Sequence, residues 1–237
     1  MRRKNAEERK KPGREKTSRV GTVYNALKRA ILEQGLGPGD KLPEDAIGEQ
    51  FGVSRTIVHE ALVRLAGDRL VELRRNKGAQ VASPSLDEGR ELFNVRLALE
   101  KLVVETLCGT LTQDQVERLE QHVRDEEDAR GRSDPRSIRL AGEFHTILAD
   151  MTGNATLIRF VGEVIARCSL IIALYGRPHS AECAISEHRA IVAALQSGDT
   201  AKASSLMGHH LSDVMSRALL PQRPQRNIRE ILAAYSR

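Results

Sequence analysis

The chain has 237 residues, a formal net charge of +5 at pH 7, no Trp and only 3% aromatic residues. Its apolar content is mostly Ala, Leu, Val and Ile, which suits helix packing better than an aromatic-rich sheet core, and no run of about 18 apolar residues predicts a transmembrane helix. Three scattered Cys, none in a CxxC pair, argue against a disulfide framework or a zinc finger and are typical of a reducing cytoplasm.

Positive charge is concentrated at the start of the chain, where residues 1–19 hold nine Lys or Arg against three Glu. This segment has no apolar stretch, which argues against a secretory signal. Residues 1–18 are predicted to form a disordered basic arm. A solvated tail would explain the composition, but a mobile cationic arm would also gain affinity for a phosphate backbone by releasing counterions.

Residues 19–83 are predicted to form a small mixed unit. Apolar residues recur at helical spacing in "RVGTVYNALKRAILEQG", and a turn-rich "LGPGDKL" separates this helix from a short one in "PEDAIGEQFG". Ser54 is a good N-cap for a further helix in "VSRTIVHEALVRLAGDRL". The runs "LVEL" and "AQVA" around the polar turn "RRNKG" predict a β-hairpin. This order is that of a winged helix-turn-helix, whose second helix enters a DNA major groove.

The apolar periodicity of residues 86–220 predicts a bundle of six or seven helices with no competing strand. Thr112 and Gln115 make a capping box for one of these helices, and Pro135 begins the next. The segment "ATLIRFVGEVIARCSLIIALYG" is apolar nearly all round and is predicted to be a central, buried helix. Residues 221–237 are a tail with one more short helix. The fold class is therefore mainly α, an N-terminal winged helix-turn-helix followed by an all-α domain.

The segment "KLPEDAIGEQFGVSRTIVHEALVRLAGDRLVELRRNKGAQV" resembles the DNA-binding domain of GntR-type bacterial transcription regulators. The helical part, from Arg96 through His210, is similar to the ligand-sensing FCD domain of the FadR subfamily. The resemblance implies a homodimeric, ligand-responsive transcription regulator, expected to be a repressor. One domain would bind a double-stranded DNA operator, and the other would sense a small organic acid.

Side chains at the start of the second helix of this motif are the main candidates for DNA contact. Arg55 can bind a guanine edge or a phosphate, while Ser54 and Thr56 can donate to a phosphate at the helix N-terminus. Family members usually carry Arg where this chain has His59, and often Arg where it has Asp45, so we expect a non-standard operator. The candidates, including the wing, are Ser54, Arg55, Thr56, His59, Arg75, Lys77 and Gly78. The alternative is a solvated basic surface.

The resemblance also implies a metal site, with His145, His188 and His210 as ligands on three helices. Taken singly, each His is more often a surface or packing residue, and the spacing alone is no zinc motif. The family's fourth ligand is an acid one helical turn before the first His, where this chain has Ala141. The site is therefore either a three-histidine site completed by water and the effector, or one that has lost its metal. Three imidazoles suit Zn²⁺ or Ni²⁺.

Three residues are candidates for binding the effector, a small carboxylate. Arg96 matches a family Arg that tends to face the effector cavity, and a buried Arg beside a metal favours an anionic ligand. A structural Arg96–Glu100 pair at i,i+4 is the alternative. Asn154 lines the site or caps a helix, the cap being preferred, and Arg167 is a weaker candidate.

Two other functions compete with a sensing regulator. The first is a DNA-binding dimer whose helical domain has lost metal and effector sensing; the histidines and Arg96 argue against it, and Ala141 keeps it open. A hydrolase with a three-histidine metal site is the second, but no acidic residue is well placed as a general base and a DNA-binding domain would be superfluous. We therefore expect no enzyme activity, no membrane contact, and a cytoplasmic, nucleoid-associated protein in a bacterium.

Overall fold

The structure is a computed structural model, and it describes residues 12–130, 135–175 and 181–218. These fall into two compact units, one up to Ser83 and the other from Pro84. No helix among the described residues is long and apolar enough to cross a membrane.

The first unit contains three helices and three short strands in its described part. In chain order these are α1 (Pro12–Leu32), β1 (Lys41–Leu42), α2 (Glu44–Phe51), α3 (Arg55–Gly67), β2 (Val71–Arg74) and β3 (Gly78–Val81). Helix α1 begins seven residues before the predicted start at Arg19, so the end of the predicted disordered arm is helical. Lys, Arg and Glu are good helix formers, which is why a polar composition did not exclude a helix there. Residues 1–11 lie outside the described part.

The predicted hairpin is present and is joined by a third strand. The three strands are antiparallel in the order β1-β3-β2, with Glu72 opposite Gln80 and Lys41 opposite the same Gln80 on the other side. The prediction that "LGPGDKL" is entirely loop was therefore wrong for its last two residues, Lys41 and Leu42, which form β1. A two-residue strand has too little side-chain periodicity to be visible in a sequence.

The turn between α2 and α3 is tight. Helix α2 ends at Gly52, which has a left-handed φ of 61°, and Ser54 is the residue before α3. A Cβ on Gly48 would lie 3.0 Å from the carbonyl oxygen of Val53, so only glycine fits without a shift. The apolar face of α3, including Val58, Leu62 and Leu65, is buried. The opposite face, which carries the candidate DNA-reading side chains, is left exposed.

The second unit has six helices in its described part. They are α4 (Leu86–Leu107), α5 (Gln113–Asp128), α6 (Pro135–Met151), α7 (Ala155–Tyr175), α8 (Ala181–Ser197) and α9 (Thr200–Ala218). The predicted capping box is confirmed, because Thr112 and Gln115 exchange hydrogen bonds at the start of α5. The short helix predicted within residues 221–237 lies outside the described part.

Helix α7 packs against α4 and α6 but keeps one side exposed. The prediction that it is a central helix, buried nearly all round, was therefore wrong in part. Val161, Ile165 and Ile171 are buried, whereas Phe160 is 41% exposed. The larger apolar cluster of this unit draws on all six helices, α7 included through Leu157, Val161 and Ile165, and it surrounds Phe144 and Leu195. Several polar side chains are buried beside this cluster, and they form the candidate site.

Candidate metal centre and nucleic-acid interface

Three histidines from three helices converge in the interior of the second unit. His145 on α6, His188 on α8 and His210 on α9 are each no more than 3% exposed. The Nε2 atom of His210 lies 3.2 Å from that of His145 and 3.4 Å from that of His188. One nitrogen from each ring therefore falls within 4.8 Å of the other two. We call these three residues the histidine triad.

Each ring of the triad directs its other nitrogen, Nδ1, at a carboxylate on a neighbouring element. The Nδ1 of His145 lies 2.5 Å from Glu100, and the Nδ1 of His210 lies 2.6 Å from Glu187. The Nδ1 of His188 lies 2.9 Å from an oxygen of Glu126. A carboxylate accepts a hydrogen bond, so each Nδ1 carries the proton and each Nε2 presents a lone pair to the triad.

Sequence reasoning missed this carboxylate shell. Glu100 was considered only as a partner for Arg96, and Glu126 and Glu187 were not considered at all. Glu100 and Glu126 are 2% and 4% exposed. Acidic residues on the core-facing side of α4 and α5 could have indicated the shell from the sequence, because a buried carboxylate requires a hydrogen-bonding or charged partner.

The electrostatics of the site favour neutral rings at His145 and His210 beside ionised carboxylates. Burial lowers the pKa of His145 to about 3 and also lowers the pKa of His210. Burial is the largest effect on Glu100 and opposes its ionisation, but the charges of Arg96 and His145 and the hydrogen bonds from both together outweigh burial and lower the pKa of that carboxyl to about 2. Burial likewise opposes ionisation of Glu126, and hydrogen bonds from His122 and His188 bring its pKa below the ordinary value.

Aromatic packing fixes the orientation of one ring of the triad. Phe144 precedes His145 on α6, and its ring stacks on His188 with centroids 3.9 Å apart and an interplanar angle of 12°. The ring of His122 also stacks on Phe144, with centroids 6.4 Å apart, and its Nε2 is hydrogen-bonded to the carbonyl oxygen of Leu140 at 2.9 Å. The rings are thus held by packing as well as by carboxylates.

The donor set fits a divalent transition metal. Metal–nitrogen bonds of about 2.0–2.1 Å in a tetrahedral site place two nitrogens about 3.4 Å apart. The Nε2 separations of 3.2 and 3.4 Å match that spacing. Three buried lone pairs facing one another repel unless a cation lies among them, and histidines that bind metals commonly donate their second nitrogen to a carboxylate.

Arg96 belongs to the same network. It is 5% exposed, and its Nε donates to Glu100 at 2.5 Å, so the i,i+4 pair considered as an alternative exists. The same Glu100 contacts Nδ1 of His145, so one carboxylate joins the guanidinium to the triad, and the positive charge of Arg96 disfavours protonation of His145 and His210. The Arg96–Glu100 pair therefore does not prevent Arg96 from lying near an anion bound at the triad.

The other predicted residues of the helical unit lie as follows. Ala141 is half-buried, one turn before His145. Asn154 is exposed, and its side chain accepts hydrogen bonds from the backbone of residues 156 and 157, so it caps α7. Arg167 is paired with Glu88 on α4. His209 is exposed and hydrogen-bonded to the carbonyl of its own helix, facing away from the triad as its position predicts.

The predicted DNA-reading residues are exposed on the first unit. Ser54, Arg55, Thr56 and His59 lie on the first two turns of α3 or just before it, and Arg75, Lys77 and Gly78 lie at the turn of the hairpin. Glu44 on α2 accepts hydrogen bonds from both Arg55 and His59, a contact that sequence reasoning missed. Asp45 lies 3.8 Å from Arg55. The hairpin turn has φ of 61° at Asn76 and 77° at Gly78.

Comparisons with known proteins agree with this architecture. Residues 19–81 match the model of the bacterial regulatory proteins of the gntR family, and residues 91–213 match that of the FCD domain. The HTH-type transcriptional regulator YdhC of Bacillus subtilis is 31% identical over 173 residues, which cover 71% of this chain and 76% of that protein. The Uxu operon regulator of Haemophilus influenzae is 30% identical over 217 residues, which cover 83% of this chain and 81% of that protein.

A solved structure shares the fold. The crystal structure of a GntR transcriptional regulator from Rhodococcus superposes with a TM-score of 0.76 at 24% identity, covering 87% of this chain and 100% of that one. The family models together account for both units, and the curated relatives are regulators rather than enzymes. The chain therefore belongs to the GntR family of bacterial regulatory proteins, and it is a DNA-binding transcription regulator with an FCD domain.

Proposed function

We propose that this regulator is a repressor that senses a small organic acid through a metal site in its FCD domain. The observation that carries the proposal is the histidine triad, with its three inward lone pairs and its three carboxylate partners. Such an arrangement is costly to bury without a cation. His145, His188 and His210 would hold a divalent ion such as Zn²⁺ or Ni²⁺.

The proposed effector is an anion because of the residues around the triad. The ion would supply a positive charge that attracts a carboxylate. Arg96 adds a second positive charge beside His145 and His210, although Glu100 accepts its Nε–H. Ala141 provides no acidic ligand one turn before His145, so three protein ligands leave room for an oxygen of the effector. Asn154 and Arg167 are engaged elsewhere, in a helix cap and an ion pair, and are not needed for this proposal.

The proposed output is a change in operator affinity. One recognition helix reads too few base pairs to be selective, so a dimer binding two half-sites is expected. An effector that binds one arrangement of the dimer better than the other shifts the population toward it, and so changes affinity for DNA. Such a protein would act in the bacterial cytoplasm, at the nucleoid.

Operator-binding titrations test this proposal. A duplex selected from a randomised library by the full-length protein is labelled, and its affinity is measured by fluorescence anisotropy with Zn²⁺ and a panel of small carboxylates. At least one acid should weaken binding by about tenfold, within the usual range of allosteric coupling. His188→Ala should bind the duplex without Zn²⁺ as the wild type does, and should not respond to the acid.

Two results would count against sensing through the metal site. If no carboxylate of the panel changes the affinity and His188→Ala behaves as the wild type does throughout, the helical unit is a dimerisation domain without a sensor. If an acid acts equally on the wild type and on His188→Ala, the effector binds elsewhere and the metal has no part in the response.

A further inference from the structure

Glu44 joins two candidate DNA-reading side chains into one network. It is the first residue of α2, and its Oε2 accepts a hydrogen bond from Nε of Arg55 at 2.7 Å. Its Oε1 lies 2.8 Å from Nδ1 of His59. The side chain of Glu44 is only 17% exposed, whereas those of Arg55 and His59 are 70% and 56% exposed. The carboxylate thus lies beneath the two side chains that face outward from α3.

The charge on Glu44 determines where the proton of His59 lies. Hydrogen bonds from His59 and Arg55 lower the pKa of Glu44, so the group is an ionised carboxylate that can only accept. The Nδ1 of His59 must therefore carry a hydrogen. In a neutral imidazole with hydrogen on Nδ1, Nε2 holds a lone pair, and it lies on the side of the ring away from Glu44. The exposed edge of His59 is then a hydrogen-bond acceptor.

This has a direct consequence in a major groove. Guanine offers acceptors there, whereas cytosine N4 and adenine N6 offer amino donors. An arginine at this position can only donate and selects guanine. We propose that Glu44, by fixing the tautomer of His59, makes residue 59 select a base with an exocyclic amino group, cytosine or adenine, in each operator half-site.

Arg55 retains the opposite preference within the same network. Only its Nε is used by Glu44, so its terminal N–H groups remain available as donors, with Asp45 3.8 Å from one of them. Two positions one helical turn apart on α3 thus present a donor and an acceptor to the groove. The inference depends on the DNA binding established by the family, and it is independent of the proposed metal site and effector.

Base selection by the full-length protein tests the specificity. Selections from a randomised duplex library are compared for the wild type and His59→Arg, at about pH 8, where exposed imidazoles are neutral. One position in each half-site should change from adenine or cytosine to guanine. In the wild-type duplex, replacing that base by one without the amino group should weaken binding about fivefold, as expected for one neutral hydrogen bond. A wild-type preference for guanine or thymine at that position, or no change with His59→Arg, would overturn the assignment.

The role of Glu44 has a separate readout. The ¹⁵N shifts of the His59 ring report its tautomer directly, and the wild type should show hydrogen on Nδ1. Glu44→Gln keeps the size of the side chain but can both donate and accept, so the ring should populate both tautomers and the preference for adenine or cytosine should weaken. Glu49→Gln on the exposed face of the same helix is the matched control. It should change neither the tautomer of His59 nor the base preference. If the Nε2–H tautomer dominates in the wild type, or Glu44→Gln alters neither readout while the protein remains folded by circular dichroism, Glu44 does not set the specificity.

Discussion

Replacing Glu126 with Gln removes a charge from the carboxylate shell while leaving the three metal-ligand candidates in place. Glu126 is 4% exposed, and both of its oxygens lie within 3.1 Å of Nδ1 of His188. Its other contact is with His122, whose Nε2 lies 3.4 Å from it. Glu100 also neutralises the buried Arg96, so altering Glu100 would strand a charge and destabilise the fold.

The expected loss is a factor of about 10–100 in metal affinity, the usual cost of removing the partner of a ligating His. In free energy this is about 1.4–2.7 kcal/mol, which agrees with the roughly 1.5–3 kcal/mol assigned to a hydrogen bond with a charged group. The reason is that an amide stabilises the Nδ1–H form of His188 less than a carboxylate does. The Nε2 lone pair that faces the triad becomes correspondingly less basic.

The assay is a competition titration of the purified full-length protein with Zn²⁺ against a chromophoric chelator. Glu127→Gln is the matched control. Glu127 is the next residue on α5, is exposed, and pairs with Arg189 on α8. The Glu127→Gln substitution should leave the Zn²⁺ affinity within about twofold of the wild-type value, because exposed ion pairs contribute little to stability. If Glu126→Gln, folded by circular dichroism, binds Zn²⁺ within about threefold of the wild type, the carboxylate shell does not support a metal site.

Three further predictions concern the same site. Ala141→Asp should raise Zn²⁺ affinity by at least about tenfold in the same titration, because an acid one turn before His145 adds a fourth ligand; an unchanged affinity would indicate that the Nε2 atoms do not share a metal. Zn²⁺ at about 100 times its Kd should stabilise the helical unit by about 2.7 kcal/mol in calorimetry, and His188→Ala should remove the effect. Without metal, the same unit should lose stability as the pH falls from 6.5 toward about 3, because burial lowers the pKa of His145 to about 3 and the unfolded chain then binds a proton that the folded one does not. Equal unfolding temperatures at pH 7 and pH 5 would contradict that reasoning.

The elements of the fold were predictable where local signals are strong. The capping box at Thr112, the Gly52 turn and the polar hairpin turn each depend on residues close in sequence, and the structure has all three. The two-residue strand β1 was missed because it exists only through pairing with β3, which is distant in sequence. The early start of α1 is not visible in the sequence, because Lys, Arg and Glu are typical both of disordered tails and of helices.

The candidate site was predictable only in part. The resemblance to a known family implied His145, His188 and His210, and the structure brings their rings together. Helical periodicity can place Glu126 on the core-facing side of α5, but the pairing of Glu126 with His188 and of Glu187 with His210 depends on contacts between helices that no short-range pattern encodes. The same is true of Glu44, whose importance depends on α2 and α3 crossing so that one carboxylate reaches two turns of α3.

The central claim is that the histidine triad binds a metal ion. Anomalous diffraction from crystals of the protein purified without chelators, collected on either side of the zinc and nickel absorption edges, tests it directly. We expect an anomalous peak about 2.0–2.2 Å from Nε2 of His145, His188 and His210. A peak bound elsewhere, or none after crystals are soaked in Zn²⁺ and Ni²⁺, would contradict the account and leave the three histidines as packing residues.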